Sequence, residues 1–484
     1  MQLRRNEGRG AGGRQMFWLA GALACALAAP ALAQDKKPTV DELQRRLEAL
    51  EQRFGGAGTA TVDGQPLDLS ALDQRLRALE RNLELQEEVR TAKEKEAAVV
   101  TVNDKGASFK SGDGGYEVKI RGLLQGDGRF FGSGAPAGAN DTFLLRTARP
   151  TIEGTLGKWI GYRFTPEFAG DSASIVDVYA DLKFSPAATL RVGKFTSPVG
   201  LERLQSSSSL PDIERALVSE LNPNRDIGVQ LQGEVAGGKV GYAIGVFNGT
   251  VDGRDAVTSN PDDNFEYAGR VFVEPLKGSG GFWSGLGFGI GGSIGDVEGA
   301  GNNFLPRYRT PGQSQFFNYR SAVAADGRRT RWSPQGYFYR GSFGLLAEYA
   351  SSSQELRVDG ATAELETTAW QATASWVLTG EDAGYRGVAK PARSFNPGKG
   401  GWGAWEVVAR YGELEVDDGA FPLFADPAVA ARKADAWVAG VNWYLNSNLK
   451  LVVNYLQTGF EGGAAGGADR PTEKAVFTRL QVAF

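Results

Sequence analysis

Residues 116–131 read YEVKIRGLLQGDGRFF. Val118, Ile120 and Leu124 fall on one parity, whereas Lys119, Arg121, Gln125 and Asp127 fall on the other. A period of two sends successive side chains to opposite faces of an extended strand, so this stretch is apolar on one face and charged on the other. The alternation recurs in SIVDVYADLKF (174–184), where Val176, Val178, Ala180 and Leu182 oppose Asp177, Tyr179, Asp181 and Lys183. DIGVQLQGEV (226–235) and WVAGVNWYLN (437–446) repeat it. Sixteen candidate strands fit between residues 117 and 484. An even count is what a single-chain bacterial membrane barrel uses.

The connections argue independently for a barrel. Tight turns such as LGK, SPAA, AGG, RGS and NSN alternate with longer segments at 132–142, 197–225, 249–263, 297–328, 355–363, 416–433 and 459–472. Short turns at one end and long loops at the other describe an outer-membrane barrel. Residues 380–401 break the rule, long where a short turn is due, and a segment of this kind either folds back into the barrel or marks a misplaced strand. The chain ends in FTRLQVAF, with Leu480, Val482 and the terminal Phe484 on one face and Phe477 out of step. A soluble β-sandwich also has apolar inner faces, but it explains neither the loop asymmetry nor the charge on nearly every second face.

Composition narrows the chemistry. Glycine is abundant at 66 of 484 residues, and no window after residue 40 holds the ~18 apolar residues a spanning helix needs. The absence of histidine removes the side chain most used for proton transfer near neutral pH, so a Ser-His-Asp relay cannot form and an enzyme is not expected. The single cysteine is Cys25, so no disulfide framework, thiol chemistry or Cys/His metal site is expected, and no cofactor. A net charge of −4 from 53 basic and 57 acidic residues names no partner, and nothing points to nucleic acid.

Arg4, Arg5, Arg9 and Arg14 precede the apolar run MFWLAGALACALAA, and ALA at 31–33 supplies a small-x-small cleavage pattern. Residues 1–33 therefore read as a secretory signal peptide. Within 34–98, Val40, Leu43, Leu47, Leu50 and Phe54, and after a break Leu69, Leu72, Leu76, Leu79 and Leu83, recur at heptad spacing. Such a narrow stripe is too thin for a globular core and predicts an α-helical coiled coil between copies of the chain. Residues 99–115 read as a linker and 116–484 as an all-β transmembrane antiparallel barrel. A barrel of about sixteen strands encloses an aqueous channel.

The polar parity sends Lys119, Arg121, Arg129, Arg149, Arg163, Lys183, Arg191, Arg270, Arg331, Arg410, Lys450 and Arg479 to the lumen, with a comparable set of carboxylates. Facing pairs of these can simply brace the wall. Selectivity is set where the pore is narrowest, because the ~8 Å Debye length at physiological salt exceeds the radius expected there. Loop 197–225, with GLERLQSSSSLPDIER, and segment 297–328, with Arg307, Arg309, Arg320 and Arg328, are the candidates to fold inward.

LRVGKFTSPVGLERLQSSSSLPDIERA, together with FLLRTARPTIEGTLGKW, TRWSPQGYFYRGSFGLLAEY, WVLTGEDAGY and GAWEVVARYGELEV, resembles the phosphate-selective porins of the O and P type from about residue 116 to the end. The resemblance implies a trimer of sixteen-stranded barrels in the bacterial outer membrane, the coiled coil being periplasmic, with oxyanions passing along arginines to a central site. It places Arg203, Ser206, Ser207, Arg215 and Asp177 at that site, and Arg307, Arg309, Arg121 and Arg149 on the approach. Arg203 stands where phosphate-specific members carry lysine. A basic family position falls on Leu123, and one arginine of a paired Arg-Arg is Thr147. The implied function is passive, anion-favouring diffusion, phosphate first. The alternative is a general or differently selective porin, in which Glu202, Asp212 and Glu214 neutralise the basic site.

Overall fold

The computed structural model describes residues 45, 61–62, 65–66, 69–135, 139–257, 259–388 and 390–484. The expected signal segment and, residue 45 apart, the first heptad run lie outside them. The second run falls in a helix, α1 (Leu69–Glu96), whose Leu79 and Leu83 side chains are exposed and whose surface carries an Arg77–Asp73 pair at 2.9 Å. No helix among the described residues is long and apolar enough to cross a membrane.

Sixteen antiparallel strands close a barrel. They are β1 (Glu117–Phe131), β2 (Thr142–Leu156), β3 (Ile160–Glu167), β4 (Ser174–Ser185), β5 (Ala188–Thr196), β6 (Arg225–Val235), β7 (Val240–Phe247), β8 (Glu266–Val273), β9 (Leu286–Glu298), β10 (Ala324–Arg340), β11 (Phe343–Val358), β12 (Ala361–Val377), β13 (Ala404–Val416), β14 (Ala431–Tyr444), β15 (Leu449–Gly462) and β16 (Glu473–Ala483). Closure comes from β1, which pairs with β2 on one side and with β16 on the other, Leu124 facing Val482. The parity reading holds: Val118, Ile120, Leu124, Leu231, Val271, Ile290 and Leu480 stand exposed outside, while Gln125, Asp127, Gln230, Arg331, Arg410 and Arg479 are buried inside. This inversion of a soluble protein suits hydrocarbon around the barrel. Aromatic rings belt the outside, with Trp370–Tyr411 at 5.4 Å, Tyr411–Trp437 at 4.4 Å and Trp405–Trp443 stacked at 4.9 Å.

Four expectations need correction. The linker 99–115 contains a hairpin, Val99–Asn103 with Gly106–Lys110, whose second strand pairs with the start of β1. The supposed long loop 355–363 is a two-residue turn, because Asp359 and Gly360 both take positive φ (49° and 82°) and let β11 and β12 continue to meet. An Asp-Gly pair favours that turn. Val176 points into the lumen with Asp177, since β4 carries one extra residue against Thr165 and Pro166 of β3. The lumen is also not polar throughout. At the end away from the termini, Leu217, Leu221, Tyr308, Phe316, Phe317 and Phe424 from loops pack on Ala350, Leu356, Leu365, Leu414 and Phe460 of the wall. That apolar filling leaves the open space beside β1–β6.

The irregular segment between β12 and β13 does fold back. Its Ala383 and Val388 are buried with Val377, Ala404 and Tyr444.

Candidate functional site

Residues 197–224 leave β5 and run through the lumen, because the inward faces of the wall offer partners for their backbone. Glu348 of β11 accepts from the Leu201 and Glu202 amides (2.8 and 3.0 Å) and so holds the short helix Leu201–Leu204. Beyond it, Lys450 donates to the Leu210 carbonyl (2.7 Å), Arg479 to that of Ile213 (2.7 Å), and Asn454 accepts from the Ile213 amide (2.6 Å). Ile213 packs against Phe477, Val438, Val452 and Leu456. The out-of-step Phe477 is thus an inward anchor for the loop. On the opposite wall Gly291 admits the loop backbone, since a methyl there would overlap the Val199 carbonyl.

Two cavities adjoin this loop. A cavity of about 700 Å³ faces the terminal end and is lined by Arg121, Leu123, Arg163, Asp177, Ser206 and Arg386 among others. A second, of about 210 Å³, is lined by Arg146, Arg215, Glu214, Glu220, Arg254 and Arg309 among others. Arg149, Arg203, Ser207 and Arg225 line both.

The residues named from sequence fall as follows. Arg203 donates to the Ser219 carbonyl, and its buried Nε–H has no hydrogen-bond partner among the described residues. Arg215 donates to the carbonyls of Glu202 and Gln205. Neither forms an ion pair among the described residues. Burial pushes the Arg203 guanidinium below its ordinary value, and burial together with the Arg203 charge does the same to Arg215. Ser207 receives a long contact from Arg149 (3.4 Å), while Ser206 exchanges with Ser208 (2.9 Å) and lines only the larger cavity. Asp177 pairs with Arg225 (3.2 Å), Arg149 with Glu167 (2.6 Å) and Arg121 with Glu153 (3.2 Å). Arg309 reaches the smaller cavity, whereas Arg307 is exposed and offers its carbonyl to Arg254 (2.6 Å).

Three of the four loop acids turn toward the wall; the fourth, Glu220, lines the smaller cavity and accepts from the Arg309 amide (3.1 Å). Glu202 bonds the Ala216 amide and Ser219 hydroxyl (2.9 and 2.6 Å) and lies 3.5 Å from Arg410, which pairs with Asp212 at 3.1 Å. Burial pushes Asp212 up to about 6 against the pull of Arg410. Glu214 meets Arg129 (2.7 Å) and Arg146 (3.0 Å), with Arg479 at 3.6 Å. Burial opposes its charge, but Arg146 and Arg479 outweigh it and hold the carboxyl down at about 2. These acids seat the loop.

Alternation missed Arg225, the first residue of β6, whose parity is that of the exposed Val229 and Leu231. Asp177 and Asn224 (3.1 Å) hold its guanidinium in the lumen. Arg254 lies in a loop where periodicity carries no signal.

A closed sixteen-stranded barrel, apolar outside and charged inside, is an outer-membrane porin, a channel and not an enzyme. Residues 118–484 match the family described as phosphate-selective porin O and P, and the chain belongs to that family. Porin O of Pseudomonas aeruginosa is 25% identical over 422 residues, covering 80% of this chain and 93% of its own. An uncharacterized protein of Caulobacter vibrioides is 26% identical over 378 residues, covering 73% and 70%. Among solved structures, the outer membrane channel DcaP of Acinetobacter baumannii superposes with a TM-score of 0.49 at 13% identity, over 78% of this chain and 99% of that one. The anion-selective porin from Comamonas acidovorans gives 0.47 at 13%, over 76% and 100%.

Proposed function

We propose that this porin passes small anions, phosphate-class oxyanions first, through the junction of the two cavities, with loop 197–225 as its constriction. What carries the reading is the set shared by both cavities: three guanidinium groups and a hydroxyl, with Arg215 close by. Arg149 and Arg225 have carboxylate partners, whereas Arg203 and Arg215 make hydrogen bonds to carbonyls only and feel Glu220 and Glu202 at longer range. A guanidinium keeps its proton in proteins, so an incoming anion, and not deprotonation, relieves their crowding. Guanidinium forks suit tetrahedral oxyanions and Ser206 and Ser207 can donate to remaining oxygens, which replaces hydration in part and lets the ion leave. The description of the family, phosphate-selective porin O and P, agrees with this choice of solute.

The assembly proposed is a homotrimer in outer-membrane lipid, with residues 1–33 removed as a signal peptide and a periplasmic coiled coil in 34–98. Reversal potentials across bilayers in a KCl gradient, with phosphate then titrated in, test the pore reading. The expected results are an anion preference, a phosphate block of chloride current, and loss of that block in R203Q. Anion preference without block selects the general anion porin, and cation preference overturns both.

A further inference from the structure

The segment between β12 and β13 reaches the Arg203 turn from the terminal end of the barrel. Tyr385 donates to the Leu201 carbonyl (2.5 Å), and the Gln205 side chain donates through Nε2 to the Tyr385 carbonyl (2.5 Å). The Tyr385 ring stacks on Tyr337 of β10 with centroids 5.4 Å apart and planes 25° apart. Arg215 holds the carbonyls of Glu202 and Gln205. The turn Leu201–Gln205 is therefore gripped on two sides, by a side chain of its own loop and by a residue more than 180 positions along the chain. Arg386, next to Tyr385, is exposed on the wall of the larger cavity.

We propose that this inward segment is the second half of the ion path: Tyr385 is a positioning residue that sets where Arg203 and Ser207 stand, and Arg386 is a specificity-determining cation met by anions at the terminal face. The proposal rests on reading residues 201–215 as the anion passage. The hydroxyl and carbonyl of Tyr385 are bonded to the turn itself, so it acts by fixing the backbone that bears Arg203. Arg386 acts at longer range, raising the local anion concentration below the junction.

Single-channel recording on the intact oligomer tests both roles, with inorganic phosphate as the blocker and R203Q as the control. Y385F keeps the ring stack and loses one hydrogen bond, so the half-blocking phosphate concentration should rise about fivefold. The thermal stability of the barrel should stay as in the parent. R386Q should slow the phosphate on-rate from the terminal face about threefold in ~0.01 M salt, where the Debye length is ~30 Å, and leave it unchanged in ~1 M salt. R386K should restore the parent rate. If R203Q abolishes the block while Y385F and R386Q behave as the parent, the segment is mere filling and this proposal falls alone. Block that weakens in Y385F only alongside barrel stability also counts against positioning. If R203Q leaves the block intact, the passage reading fails and this one with it.

Discussion

Glu214 and Asp212 sit two residues apart in one loop and have opposite electrostatic fates. Glu214 has three arginines around it and its carboxyl is held down at about 2, below the ordinary 4.5, so its ionised form favours the folded state. That contribution is present above pH ~4.5, vanishes as pH falls through about 2, and is on the order of 3 kcal/mol at neutral pH. E214Q should therefore lower barrel stability at pH 7 by up to that amount, with the gap closing toward pH 3, as unfolding titrations at both pH values would show. Asp212 is pushed up to about 6, so its proton is favoured by folding and its stabilising share is lost as pH rises through about 6. D212N should cost little at pH 7; a loss as large as that of E214Q would contradict this account. At this scale resemblance and parity singled out Arg203, Ser207, Arg215 and Asp177, and the structure sets each on the wall of one or both cavities. The sequence could not say which acids face them, because that depends on where a loop backbone finds its hydrogen bonds.

Among the elements, the strands were legible because lipid on one side and water on the other impose a strict period of two. Where the period failed, a local cause stands behind it: an extra residue at Val176, a strand end at Arg225, and at Phe477 a loop that needed an apolar seat. The Asp-Gly turn at 359–360 was written in the sequence and read too broadly as a loop. The path of 197–224 was not written there, since its anchors Glu348, Arg410, Lys450 and Arg479 lie on β11, β13, β15 and β16. Truncating the apolar seat should loosen it. I213A is expected to cost about 2–4 kcal/mol and to make the open current noisier in single-channel records. A quiet channel of unchanged stability would mean that the polar bonds alone hold the loop.

For the whole molecule, wall height follows strand length. The eight residues of β3, β7 and β8 run about 26 Å, a height of roughly 20 Å at the ~35–45° tilt of such strands, whereas the 17 of β10 and β12 stand roughly twice as high. The apolar filling packs on the tall strands β11 and β12, among others, and the open space lies beside β1–β6. A passage governed by a few guanidinium charges must weaken with salt: the anion-to-cation permeability ratio should fall severalfold between ~0.1 M and ~1 M KCl, as the Debye length drops from ~10 to ~3 Å. A ratio indifferent to salt would mean that steric size sets the selectivity. Removing residues 34–98 should leave single-channel conductance intact and reduce the oligomer recovered on gentle detergent extraction, if the heptads join copies. By itself the sequence determined the barrel and its strand parity, because each follows from neighbours two residues apart. Only the tertiary structure decided which half of the lumen is filled, which arginines go without a carboxylate and what grips the Arg203 turn. Those are contacts between segments far apart in the chain, and their partners are chosen by packing inside a closed wall.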